Sequence, residues 1–78
     1  MNKARRKRLS EIADELESLR YDLEAVASEE REAYDNLPGS LQYGDKGCAM
    51  EEAADELDDI CSELSELRDR IVEVVENY

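Results

Sequence analysis

The stretch LDDICSELSELRDRIVEV, residues 57–74, decides the fold. Its seam reads Leu57, Ile60, Leu64, Leu67, Ile71 and Val74, with steps that alternate between three and four residues. Such alternation marks a helix packed lengthwise on another helix. The spacing continues upstream to Met50 and Ala53 and downstream to Tyr78, which makes the second half of the chain one amphipathic helix.

Working outward, the first half carries a matching seam: Leu9, Ile12, Leu16, Leu19, Leu23, Val26, Glu30, Ala33 and Leu37. Its spacing is the same, and its one chemical exception is Glu30 in a seam position. Pro38 pushes Leu37 out of the helical region, so this helix ends near Asn36. Pro38-Gly39-Ser40 is turn chemistry, and Gly44 and Gly47 loosen the approach to the second helix. No strand pattern is present. The spacing predicts a basic arm over 1–8, a helix over 9–36 that can reach back to Lys3, a loop over 37–45 and a helix over 46–77.

Two long helices joined by such a loop fold back antiparallel. The two seams then pair in layers: Val26 with Leu57, Leu23 with Ile60, Leu19 with Leu64, Leu16 with Leu67, Ile12 with Ile71, Leu9 with Val74. Every layer is apolar against apolar. The expected fold class is all-α, an antiparallel two-helix hairpin with a heptad seam.

Seventy-eight residues make one small domain, short of apolar surface unless stapled or oligomeric. The two cysteines, Cys48 and Cys61, lie on one predicted helix, roughly 20 Å apart at a 1.5 Å rise per residue. They cannot bridge within the chain, and reduced thiols fit a reducing compartment. With no histidine, zinc and di-iron sites lack their usual ligands, and no metal or cofactor is expected. No apolar run has the length of a signal sequence or a membrane span, so a cytoplasmic protein without a membrane partner is expected.

Charge is uneven. Ten basic side chains face 22 acidic ones, a formal net of −12, yet half of the basic ones (Lys3, Arg5, Arg6, Lys7, Arg8) fall in the first eight positions. The acidic body disfavours direct nucleic-acid binding. The hairpin sets the arm beside the C-terminal turn of the second helix, near Glu73 and Glu76, where cations complement the helix end.

With Leu9 and Leu57 at heptad position a, position e reads Ala13, Arg20, Ala27, Tyr34 in the first helix and Ala54, Cys61, Arg68, Val75 in the second. These mostly small residues widen each apolar stripe beyond a two-stranded seam. The expectation is a strip the hairpin leaves open at Ala13, Ala27, Ala54, Cys61 and Val75, covered by a second copy in a four-helix bundle.

Polarity also concentrates at the loop end. Glu30 faces Ala53, with alanines around it, and Arg31, Tyr34, Asn36, Ser40, Gln42, Tyr43 and Lys46 are near in sequence. Two readings stand: a polar layer that sets register or oligomer state, and a ligand- or partner-binding pocket. Catalysis is not expected. No serine or cysteine has an activating partner by spacing, no glycine-rich phosphate loop is present, and acidic clusters such as Glu51, Glu52, Asp55, Asp58 and Asp59 read as a solvated face.

The stretch from Glu29 to Gln42, then Lys46-Gly47 and Met50-Glu51-Glu52-Ala53, resembles a group of small helical-hairpin proteins encoded in phages and prophages. Their loop has the form Asn-Leu-Pro-x-Ser-Leu-Gln between acidic helices, here Asn36 to Gln42. The resemblance covers roughly Glu29 to Leu67. Gly39 and Gly44 depart from the Glu and Ser expected there, which weakens the second helix cap. The resemblance implies a phage accessory protein, of a kind that counters host defence by blocking a protein or sequestering a nucleotide signal.

The leading expectation is therefore an oligomeric inhibitor or sequestering protein, bound to a host protein or a small anionic ligand. Two alternatives stand beside it: an acidic decoy imitating nucleic acid, and a small DNA-associated regulator using the basic arm.

Overall fold

A computed structural model describes residues 1–78, and about 90% of them are helical, with no strand. Helix α1 spans Lys3–Asp35, α2 spans Gly39–Gln42, and α3 spans Asp45–Asn77. Helices α1 and α3 pack side by side as an antiparallel hairpin, a rod of 59 × 14 × 12 Å. No helix is long and apolar enough to cross a membrane.

The ends of the elements follow from local chemistry. Asn2 caps α1, its Oδ1 accepting from the Arg5 N–H at 2.9 Å. The basic arm is therefore the first two turns of α1 rather than a separate segment. At the other end the Asn36 N–H returns to the Glu32 carbonyl and the Leu37 N–H to the Tyr34 carbonyl, both at 3.0 Å, before Pro38 breaks the ladder. The Pro38 carbonyl then accepts from Leu41 and Gln42, which turns the expected loop into the one-turn helix α2. Gly44 opens α3 without a side-chain cap, and Asp45 in the first turn complements the helix dipole.

Gly47 does not loosen the approach to α3; it lies inside the helix and is buried. A Cβ there would sit 2.2 Å from the Gln42 carbonyl oxygen, so only glycine admits the α2 backbone. Around Gly39 a Cβ would meet nothing within 4 Å. Gly47→Ala is expected to destabilise the chain by about 1–3 kcal/mol, the usual range for forced overpacking. Gly39→Ala should be neutral or stabilising by up to about 1 kcal/mol, through helix propensity. Paired thermal melts check the contrast.

The register agrees with antiparallel seams, since the Cys61 Sγ lies 3.7 Å from the Arg20 carbonyl and the Met1 ammonium donates to a Tyr78 main-chain oxygen at 2.7 Å. The rotation of each helix about its axis does not follow the a/d seams. Ala13, Ala27, Ala54 and Cys61, expected on the open strip, are 0–5% exposed and form the core between α1 and α3. Val75 is half-buried. The physical reason is size: Gly47, Ala54 and Cys61 at seven-residue intervals on α3, with Ala13 and Ala27 on α1, let the two backbones approach closely, so the e row becomes the buried line between them.

The leucines stand to one side of that line. Leu9, Leu16, Leu23, Leu57, Leu64 and Ile71 of row a, with Ile60 of row d, are half-buried. Ile12, Leu19, Val26, Leu67 and Val74 of row d are 37–54% exposed. No large side chain is fully buried. An open strip exists, as expected, but row d forms it.

Candidate functional site

The hairpin has two unlike long sides, because rows a and b flank the e row on opposite edges, and the long e-row side chains Arg20 and Arg68 turn to the b side. The a/d side is apolar. Towards the chain ends it forms an open groove of about 560 Å³ whose apolar lining comes from Leu16 of α1 and Leu67, Ile71, Val74 and Tyr78 at the end of α3.

The b side is ionic. Arg20 is clasped by Glu17 and Glu24 of its own helix, and its guanidinium lies 4.6 Å over the Tyr21 ring. The Arg20 hydrogen bond holds the Glu17 carboxyl below its ordinary pKa, and Glu17 in turn raises that of Arg20. Across the hairpin Arg31 binds Asp55 at 3.0 Å and also Asp58, joining α1 to α3. Arg68 pairs with Asp69 at 3.1 Å. Only the Arg31 pairs cross between the helices, so they bear on the rotation of α1 against α3, and exposed pairs of that kind contribute little stability.

At the loop end, Arg31, Tyr34, Asp35, Met50 and Glu51 line a small cleft of about 150 Å³. Tyr34 is half-buried, and burial followed by the nearby Glu51 carboxylate pushes its phenol pKa up. The Gln42 Nε2 donates to the Tyr34 carbonyl at 3.1 Å, tying α2 to α1. Of the expected loop-end residues, Arg31, Tyr34 and Gln42 come together. Asn36, Ser40, Tyr43 and Lys46 are exposed and take no side-chain hydrogen bond or ion pair in this region. Glu30 is half-buried in row a, with no cation within 4.0 Å in its own chain.

Sequence reasoning missed Asp55 and Asp58 as partners of Arg31. The signal was available in the register, which brings Arg31 and these acids to the same edge of the hairpin. The basic arm, Lys3, Arg5, Arg6, Lys7 and Arg8, is exposed, and none of its side chains pairs with Glu73 or Glu76. No three His, Cys, Asp or Glu side chains converge as metal ligands would.

The two thiols differ sharply. Cys48 is exposed, whereas Cys61 is buried against the Arg20 carbonyl, and that burial pushes its pKa up. The thiolate is the reactive form, so a maleimide is expected to label one thiol per native chain, at Cys48. Labelling of Cys61 should track unfolding in denaturant, and equal rates at both would show that the hairpin opens readily.

Comparison with known families, with curated proteins and with solved structures finds no match to this chain.

Proposed function

We propose that this chain is a non-enzymatic binding protein that works as a homo-oligomer, at least a dimer. The observation that supports this is the d-row strip: Ile12, Leu19, Val26, Leu67 and Val74, all on one long side and all more than a third exposed. Contiguous exposed apolar surface of this extent marks an interaction face. A face of 59 by 14 Å offers about 800 Å², the area a stable dimer buries on each partner. At about 25 cal/mol per Å² of apolar surface, even part of it outweighs much of the entropy cost of association. A second hairpin on this face completes a four-helix bundle whose core would be the leucines that one hairpin leaves half-buried.

The role of the assembled protein is that of a small phage-type accessory protein, an inhibitor or sequestering protein acting against host defence. Its target is a host protein or a small anionic ligand such as a nucleotide signal. The support is the Asn36–Gln42 loop resemblance. Native mass spectrometry of protein purified from cells tests both parts. The expected spectrum shows a dimer or larger closed oligomer carrying a partner or an added small-ligand mass. A bare monomer at micromolar concentration overturns the proposal.

One observation favours a second reading, an acidic decoy of a nucleic-acid-binding protein. The exposed side of α3 presents Glu52, Asp55, Asp58, Asp59, Glu66 and Asp69 in succession. A decoy loses its target steeply as salt rises, whereas a ligand held in a cleft depends on salt much less.

A further inference from the structure

We infer that the two copies pack with unlike ends together, the basic start of α1 in one copy lying over the acidic loop end of the other. The inference rests on the proposal that the d-row strip is a self-association face, and it adds the orientation and the contacts that set it.

Two closed arrangements bring the strips face to face. With the two-fold axis along the rod, like ends meet and α1 lies on the partner's α3. With the axis across the rod at Leu19 and Leu64, unlike ends meet and α1 lies antiparallel on the partner's α1. Both bury the strip, so charge must decide between them.

The rod is electrically polar. Five of its ten basic side chains lie in residues 1–8, while residues 28–56 hold nine acids against Arg31 and Lys46. Like ends together would stack the two loop ends acid on acid. Unlike ends together place each basic arm on an acidic end, and like-charge juxtaposition is the more costly of the two.

The flank of the strip agrees residue by residue. Arg8, Glu29, Glu56 and Arg70 are all exposed at position g, beside row d. In the unlike-ends dimer Arg8 stands opposite the partner's Glu29, and Arg70 opposite the partner's Glu56. Glu15 faces the partner's Asp22 near the middle, and Glu63 lies close to its own copy. In the like-ends dimer Glu15 meets the partner's Arg70, but Glu29 meets the partner's Glu56 and Asp22 meets the partner's Glu63. Favourable pairs therefore lead only when unlike ends meet. The same arrangement sets Arg5 and Arg8 level with the Glu30 region of the partner. Glu30, half-buried without a cation in its own chain, then gains one from the second copy.

Disulfide trapping in a Cys48→Ser background tests the orientation, since Cys61 is buried and silent. Under mild oxidation Leu19→Cys is expected to link to its own copy across the axis. A mixture of Ile12→Cys and Val26→Cys chains should form a mixed dimer that neither forms alone. On α3 the independent pair Ile60→Cys and Leu67→Cys should link in the same way. Linkage of Ile12→Cys to Val74→Cys instead, in a protein that still sediments as a dimer, overturns the orientation while self-association stands. A monomer with no linkage in any pair overturns self-association itself. As a second readout, Arg8→Glu and Glu29→Arg should each weaken the dimer by about tenfold, and together restore it. Tighter association of Glu29→Arg alone would point to the like-ends dimer.

Discussion

Ala54→Glu is expected to unfold the chain. Ala54 is 0% exposed and Ala27 2%, and both lie on the buried line between α1 and α3. A glutamate there must either bury an uncompensated carboxylate or force the helices apart. Either outcome costs about 3–5 kcal/mol, most of the stability a small domain has. Loss of the helical circular dichroism signal at room temperature is the measurement. Ala25→Glu is the control, because Ala25 is exposed on the outer side of α1 and the same chemistry should leave the signal intact. An Ala54→Glu protein that stays helical but dissociates would return the e row to the surface between copies.

The second large effect is in association. Leu19→Asp is expected to leave α1 and α3 helical, because Leu19 is 54% exposed in the single hairpin. In the proposed dimer Leu19 lies at the two-fold axis, so one substitution places two carboxylates face to face in an apolar interface. The dimer should weaken roughly hundredfold or more, which corresponds to about 3 kcal/mol. Sedimentation should show a monomer, with a lower melting temperature that no longer shifts on dilution. Unfolding instead, with no concentration dependence in the parent protein, would make Leu19 a core residue of the hairpin and remove the strip from consideration.

These two expectations reverse what the heptad pattern alone suggests, and the reversal shows where sequence reading runs out. From periodicity Leu19 is mid-seam and Ala54 peripheral; in the folded rod Leu19 is peripheral and Ala54 central. Rows a, d and e all lie within one apolar stripe, and neighbouring rows differ by only some tens of degrees around the helix. The pattern therefore says that the stripe faces inward but not which of its rows meets the other helix. Likewise the acidic run Asp55-Glu56-Leu57-Asp58 reads as a solvated face, although the cross-helix clasp of Arg31 uses two of its members.

What the sequence by itself determined is everything that depends on neighbours along the chain. The two helices, their ends near Asn36 and Asp45, the absence of strands and the antiparallel return follow from spacing, Pro38 and the turn residues. Backbone hydrogen bonds and steric limits act within a few residues, so local pattern suffices. The tertiary structure alone decided the rotation of α1 and α3, the burial of Gly47 beneath α2 and the separation of an apolar side from an ionic one. Each depends on how closely two backbones can approach, and that distance is set jointly by side chains from both helices at each level. Small residues at Ala27, Ala54 and Cys61 drew the helices together there and left the larger side chains beside the contact, row a half-buried and most of row d exposed.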